Sequence, residues 1–122
     1  MKIRIKGNSI RYRLTRPEVE HFCSTGHLEE KTQFNGHTFS YALTSRPQLK
    51  GLEAGFDGNT ITLYFPDSER GDWARSERVG FENSMRLKNL EELSLLVEKD
   101  FVCLDGTVED QSDNYPNPLN KK

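Results

Sequence analysis

The chain has little of what most active sites are made from. It has two cysteines, Cys23 and Cys103, which stand far apart and outside any CxxC pattern. That excludes a thiolate zinc site and a thioredoxin-like redox pair. Both lie in apolar contexts, so the expectation is two buried free thiols rather than a disulfide or a nucleophile. The three histidines, His21, His27 and His37, show no metal-ligand spacing with one another or with either cysteine. They read as solvated or hydrogen-bonded side chains, and His21 does not face Cys23 on the helix expected there. No apolar run approaches the ~20 residues of a membrane span. The opening lacks an apolar signal-peptide core, because Lys and Arg interrupt it throughout, and a cytoplasmic location is expected. No nucleotide-binding or catalytic motif is present. The acidic stretch from Asp105 to Asp113 lacks both the ligand spacing and the closing Glu of a calcium loop. No metal and no cofactor is expected, and the reading leans away from an enzyme.

What is present fits a soluble single domain. At 122 residues the chain is long enough for a real core, and its 34% hydrophobic and 30% charged residues fit a globular protein with a well-charged surface. A net charge of −2 argues against a general nucleic-acid binder. The charge is unevenly placed, however. Lys2, Arg4, Lys6, Arg11, Arg13 and Arg16 open the chain with no acid among them. Glu98, Asp100, Asp105, Glu109, Asp110 and Asp113 come near its end with only Lys99 opposing.

The opening residues alternate basic and apolar on both sides of Gly7-Asn8, a pair suited to the positive φ of a two-residue hairpin turn. Closing the turn there pairs Ile5 with Ile10, Arg4 with Arg11, Ile3 with Tyr12 and Lys2 with Arg13. Alternation then puts Met1, Ile3, Ile5, Ile10, Tyr12 and Leu14 on a core face. Lys2, Arg4, Lys6, Arg11 and Arg13 take the other face. Like charges opposite one another across a ladder are destabilising, so something must offset them. Water, carboxylates from another strand and an anionic ligand are the alternatives. Tyr12 lies on the face away from the arginines, so no base-stacking platform forms.

A helix over residues 16–24 follows. Thr15 with Glu18 forms a capping box, Leu14 with Val19 has staple spacing, Pro17 suits a first turn and Gly26 a stop. Asn35-Gly36 turns a second hairpin, pairing Phe34 with His37, Thr32 with Phe39, Glu30 with Tyr41 and Leu28 with Leu43. A third hairpin is expected over residues 52–56 and 60–65, with a turn at 57–59 and Gly55 as a bulge or close approach. A short helix capped by Asp67 or Ser68 runs through Trp73 and Ala74. A short strand at 79–82, a connection at 84–92 with no structure assigned and an apolar strand at 93–100 complete the set. No internal repeat is evident beyond the recurrence of hairpins. The expected class is α+β: about eight mostly antiparallel strands in successive hairpins, as a curved sheet or a barrel, with two short helices. Residues 1–104 form the domain, and 105–122 a polar acidic tail.

The stretches KIRIKGNSIRYRLT, GFENSM, LLVEKDFVCL and EDQSDNYPNP resemble those of small bacterial proteins, mainly from Bacteroidetes, that form a family of unknown function. The resemblance spans nearly the whole chain and implies a stand-alone domain. It carries no activity, ligand or catalytic residue with it. Were the strands to close into a barrel with the basic face inside, the site would be similar to that of the triphosphate tunnel enzymes. KIRIK stands where that family has an acidic ExExK opening, which removes its metal site.

The leading expectation is a structural or interaction module in which the basic hairpin meets the acidic 98–113 segment, within the chain or across a homodimer. The alternative is a small phosphate- or carboxylate-bearing ligand held by Lys2, Arg4, Lys6, Arg11, Arg13 and Lys99, with Glu98 and Asp100 as an acidic counter-surface. Neither a membrane nor a nucleic acid is expected as a partner.

Overall fold

A computed structural model of the chain describes residues 1–100, so the expectations for Cys103, residues 101–104 and the tail 105–122 lie outside the described residues. The strands are β1 (Lys2–Ile5), β2 (Ser9–Leu14), β3 (His27–Phe34), β4 (His37–Arg46), β5 (Glu53–Asp57), β6 (Thr60–Pro66), β7 (Gly80–Arg86) and β8 (Glu92–Lys99). Helix α1 (Arg16–Thr25) follows β2, and α2 (Asp67–Trp73) follows β6. The fold is α+β, with two four-stranded sheets ordered β1-β2-β8-β7 and β3-β4-β6-β5. The barrel alternative is thereby corrected: the strands divide between two sheets instead of closing into one.

Turn chemistry sets the local pairings. The first two hairpins have the registers that Gly7-Asn8 and Asn35-Gly36 dictate, with Arg4 opposite Arg11 and Thr32 opposite Phe39. Gly7, Gly36 and Gly58 all have positive φ, which a side chain would strain. The third hairpin is tighter than expected, a two-residue turn at Gly58-Asn59 with Asp57 opposite Thr60. Gly55 pairs in regular register with Thr62, so it is no bulge. β7 runs on to Arg86, beyond the strand expected at 79–82.

The long-range pairings are of the other kind. β2 lies parallel to β8, and β4 parallel to β6. These two pairs form the centres of the sheets, and their apolar faces pack on one another. Tyr12, Leu14, Leu43, Leu63, Phe65 and Val97 have no exposed surface. Phe65 sits at the middle, its ring 4.7 Å from Phe81, 5.1 Å from Phe22 and 5.5 Å from Trp73. Tyr12 crosses the core and donates to the Ile61 carbonyl at 3.3 Å. The helices close the end at which β2, β4, β6 and β8 all finish. They supply Val19, Phe22 and Trp73 to the core. Arg70 of α2 donates to the Cys23 carbonyl of α1 at 2.7 Å, which locks the two helices together. Cys23 is a free thiol, half-buried rather than fully buried.

The topology reveals an internal duplication that the sequence reading missed. Strands β1 and β2, helix α1, then β3 and β4 form one unit. Strands β5 and β6, helix α2, then β7 and β8 repeat it. Gly7-Asn8-Ser9-Ile10 corresponds to Gly58-Asn59-Thr60-Ile61, and Leu14 and Phe22 to Phe65 and Trp73. The hydrogen bonds repeat as well. Ser94 N–H donates to the Asn8 carbonyl at 3.0 Å, and Ser40 N–H to the Asn59 carbonyl at 2.9 Å. Ser45 N–H meets the Gly26 carbonyl, and Lys99 N–H the Val79 carbonyl, each at 2.8 Å. The units interlace, since each sheet takes one hairpin from each.

Candidate functional site

The outer face of the first sheet carries the basic row. Its registers set residues side by side across four strands. Lys2, Arg13, Glu98 and Gly80 form one line, and Arg4, Arg11, Leu96 and Glu82 the next. Ser9, Ser94 and Ser84 form a third, with Lys6 beyond them at the end of the hairpin. Asn8 fixes this end, its Nδ2 donating to the Glu92 carbonyl at 2.8 Å.

At the helix end the row is met by acids of the same face. Arg13 Nε donates to Glu98 Oε2 at 3.1 Å, and Arg11 Nε lies 3.4 Å from the same oxygen. One carboxylate therefore bridges two arginines that would otherwise repel. Lys2 Nζ is 3.6 Å from Asp100 Oδ2. The structure thus gathers Lys2, Arg4, Lys6, Arg11, Arg13, Glu98 and Asp100 on one face. Lys99 is the exception: neighbours in a strand point to opposite faces. Its Nζ donates instead to the Ser76 carbonyl at 2.8 Å and lies 5.9 Å from the Trp73 ring centre.

At the turn end the same face is concave. Arg4, Lys6, Ser9 and Arg11 line a hollow of about 240 Å³. A second hollow of about 480 Å³ adjoins it at Ser9 and is lined by Glu82, Asn83, Ser84, Ser94, Leu95 and Leu96. The serines and Glu82 were not among the residues singled out from sequence. No spacing signals them, because only the β2–β8 and β8–β7 pairings bring them beside the arginines. Arg offers paired donors matched to phosphate or carboxylate oxygens, and Ser hydroxyls both donate and accept.

A second charged cluster lies at the sheet edge. The Met1 ammonium is held by Glu18 and by Glu30, the latter at 2.9 Å, and the Met1 carbonyl accepts from the Tyr41 hydroxyl at 2.7 Å. Glu18 serves two partners, since its other oxygen accepts from the Thr15 N–H at 2.8 Å to cap α1. Burial alone would raise the Glu18 carboxyl; the hydrogen bonds from the ammonium and Thr15 outweigh it and hold the group below its ordinary value. Burial would lower the ammonium, and the two carboxylates reverse that and raise it. Burial, then the charges of Glu30 and Glu18, push the Tyr41 hydroxyl up. This cluster ties the chain start to α1 and β3.

The histidines are exposed, and His27 Nδ1 lies 3.0 Å from Thr44 Oγ1. Among the described residues no three of His, Cys, Asp and Glu are placed to share a metal ion, and no helix is long and apolar enough to cross a membrane.

A model described as a family of unknown function, DUF7009, matches residues 1–119. The chain belongs to this family. No curated protein and no solved structure matches this DUF7009 member, so its fold and surface carry the functional argument.

Proposed function

We propose that the chain is a binding module for a small phosphate- or carboxylate-bearing ligand, taken up at the turn end of the basic row by Arg4, Lys6 and Arg11. One observation supports this above the others. The duplication offers an internal control, in which β5 and β6 hold the positions of β1 and β2 in the second sheet. There the counterparts of Arg4, Lys6 and Arg11 are Gly55, Asp57 and Thr62. The fold therefore has no need of cations at these places. Arg4 stands directly opposite Arg11, so one anionic group can accept from both. The concavity beside them gives such a group a seat.

The test is thermal unfolding at low salt with inorganic phosphate, pyrophosphate or citrate. A ligand of the folded state at a hundred times its Kd adds about 2.7 kcal/mol of stability, a shift easily read. Arg4→Gln with Lys6→Gln should abolish the shift while the protein stays folded. Absence of any shift across the three anions would refute the reading.

A second reading, a structural or interaction module without a small ligand, draws support from the ion pairs at the helix end. Glu98 bridges Arg11 and Arg13, and Asp100 meets Lys2. In that case the row is offset within the chain or by an acidic surface on a second copy, and light scattering across salt concentrations separates the two.

A further inference from the structure

The face beside the arginines is graded, and the grading names a class of ligand. From β1 toward β7 it passes from cations to a carboxylate, with a row of hydroxyls alongside. Arg4 and Arg11 stand beside Leu96 and then Glu82 in one line, and Ser9, Ser94 and Ser84 run alongside in the next. Adjacent strands lie about 4.8 Å apart, so Arg11 and Glu82, two strands from one another, are separated by roughly 10 Å at the backbone. That is the span of a small molecule bearing one anionic group at one end. The larger hollow, about 480 Å³, lies on the hydroxyl and carboxylate side, and the smaller, about 240 Å³, on the cationic side.

We infer that the ligand is a phosphomonoester of a polyhydroxy compound, with its phosphate on Arg4, Lys6 and Arg11 and its hydroxyl-bearing body over Ser9, Ser94 and Glu82. This rests on the anion-binding reading above and refines it. The chemistry of each part is specific. An ionised Glu is an acceptor only, so Glu82 selects groups that donate, and a sugar hydroxyl does. Ser9 and Ser94 both donate and accept, which suits the mixed demands of a polyol. Ser84 already donates to Glu92 Oε1 at 2.8 Å, which leaves its oxygen to accept from the ligand. Leu96, between Arg11 and Glu82, presents an apolar floor against the C–H face of a sugar ring. A dianion with no hydroxyls fills the cationic hollow alone and leaves the larger one to water. A second anionic group would meet Glu82 and be repelled.

Calorimetric titration at low salt with glucose 6-phosphate, inorganic phosphate and glucose tests this. The expected order is glucose 6-phosphate at least tenfold tighter than inorganic phosphate, with glucose alone not detected. Glu82→Gln, on an exposed edge-strand side chain, should remove most of the tenfold advantage without weakening inorganic phosphate, since it takes one negative charge away from the anion seat. Arg4→Gln with Lys6→Gln should weaken both phosphate-bearing probes together. Equal affinity for glucose 6-phosphate and inorganic phosphate would overturn the ligand class while sparing the anion site. Failure of both to bind would overturn the anion site itself. An unchanged preference in Glu82→Gln, with circular dichroism showing a native fold, would also overturn the assignment.

Discussion

Replacing Glu98 by Gln tests what holds the basic row in place. Its Oε2 lies 3.1 Å from Arg13 Nε and 3.4 Å from Arg11 Nε, and its side chain keeps only 18% of its exposure. The arginines keep 28% and 20%, so these pairs lie between surface and interior. Exposed pairs contribute about 0.2–1 kcal/mol, whereas removing one partner of a buried pair costs about 3–5 kcal/mol. Two partly buried pairs sharing one carboxylate place Glu98→Gln at about 2 kcal/mol. In a domain of this size that lowers Tm by roughly 5–10 °C. Part of the loss is renewed repulsion among Arg4, Arg11 and Arg13, so it should shrink in 1 M salt, where the screening length is about 3 Å. Adding Arg11→Gln and Arg13→Gln to Glu98→Gln should restore part of the stability, because the two arginines that shared the carboxylate are then removed with it. Thermal melts at low and high salt read all three effects. A Glu98→Gln protein with unchanged Tm, or a loss indifferent to salt and not recovered in the triple variant, would refute the account.

Two glycine substitutions should act in opposite directions. A Cβ at Gly80 meets the Val97 carbonyl oxygen at 2.5 Å and the Glu98 Cα at 2.9 Å, backbone atoms that move only with the strand, so Gly80→Ala should cost about 1–3 kcal/mol. Gly71 in α2 has nothing within 4 Å, so Gly71→Ala should gain up to about 1 kcal/mol in denaturant unfolding. The Glu18 cluster sets a pH dependence. With its folded pKa lowered from 4.5, the Glu18 contribution is complete above that value and lost as pH falls through the folded pKa. The Met1 ammonium, raised from 8.0, contributes fully below that value and is lost as pH rises through its folded pKa. Stability measured from pH 3 to 10 should therefore fall at both limits, and Glu18→Gln should flatten the acid limb. An unaltered acid limb would contradict the cluster.

What sequence could reveal divides by range along the chain. Hairpin registers were legible because Gly7-Asn8 and Asn35-Gly36 restrict the turn, and the turn fixes every pair beyond it. Helix α1 was legible from Thr15, Glu18 and Gly26. The parallel β2–β8 and β4–β6 pairings left no local mark, since an apolar alternation looks the same whichever strand lies beside it. β7 outruns its sequence signal because Asn83 falls in its alternation opposite Leu95, a polar residue in a core-facing series. Its Nδ2 donates to the Leu52 carbonyl at 2.8 Å, a partner supplied by the other sheet. The duplication leaves little trace in sequence because likeness is confined to a short turn, while Tyr12 and Leu63, or Phe22 and Trp73, fill matching core places with different shapes. At the site, the membership of the row followed from alternation. The same rule applied to adjacent Glu98 and Lys99 separates Lys99 from it. Ser9, Ser94 and Glu82 required the long-range register.

The interlaced units also impose a timetable on the chain as it is made. The second sheet holds β3 through β6 and is complete once Pro66 has left the ribosome. The first sheet needs β8 beside β2, the span between them reaching from Leu14 to Glu92. Until then the opening hairpin has nothing beside Tyr12 and Leu14 but the half-built core. A row of like charges on its outer face keeps such a waiting ribbon soluble and discourages it from adding to a neighbouring nascent chain. Glu98, which quiets that repulsion, arrives only with β8.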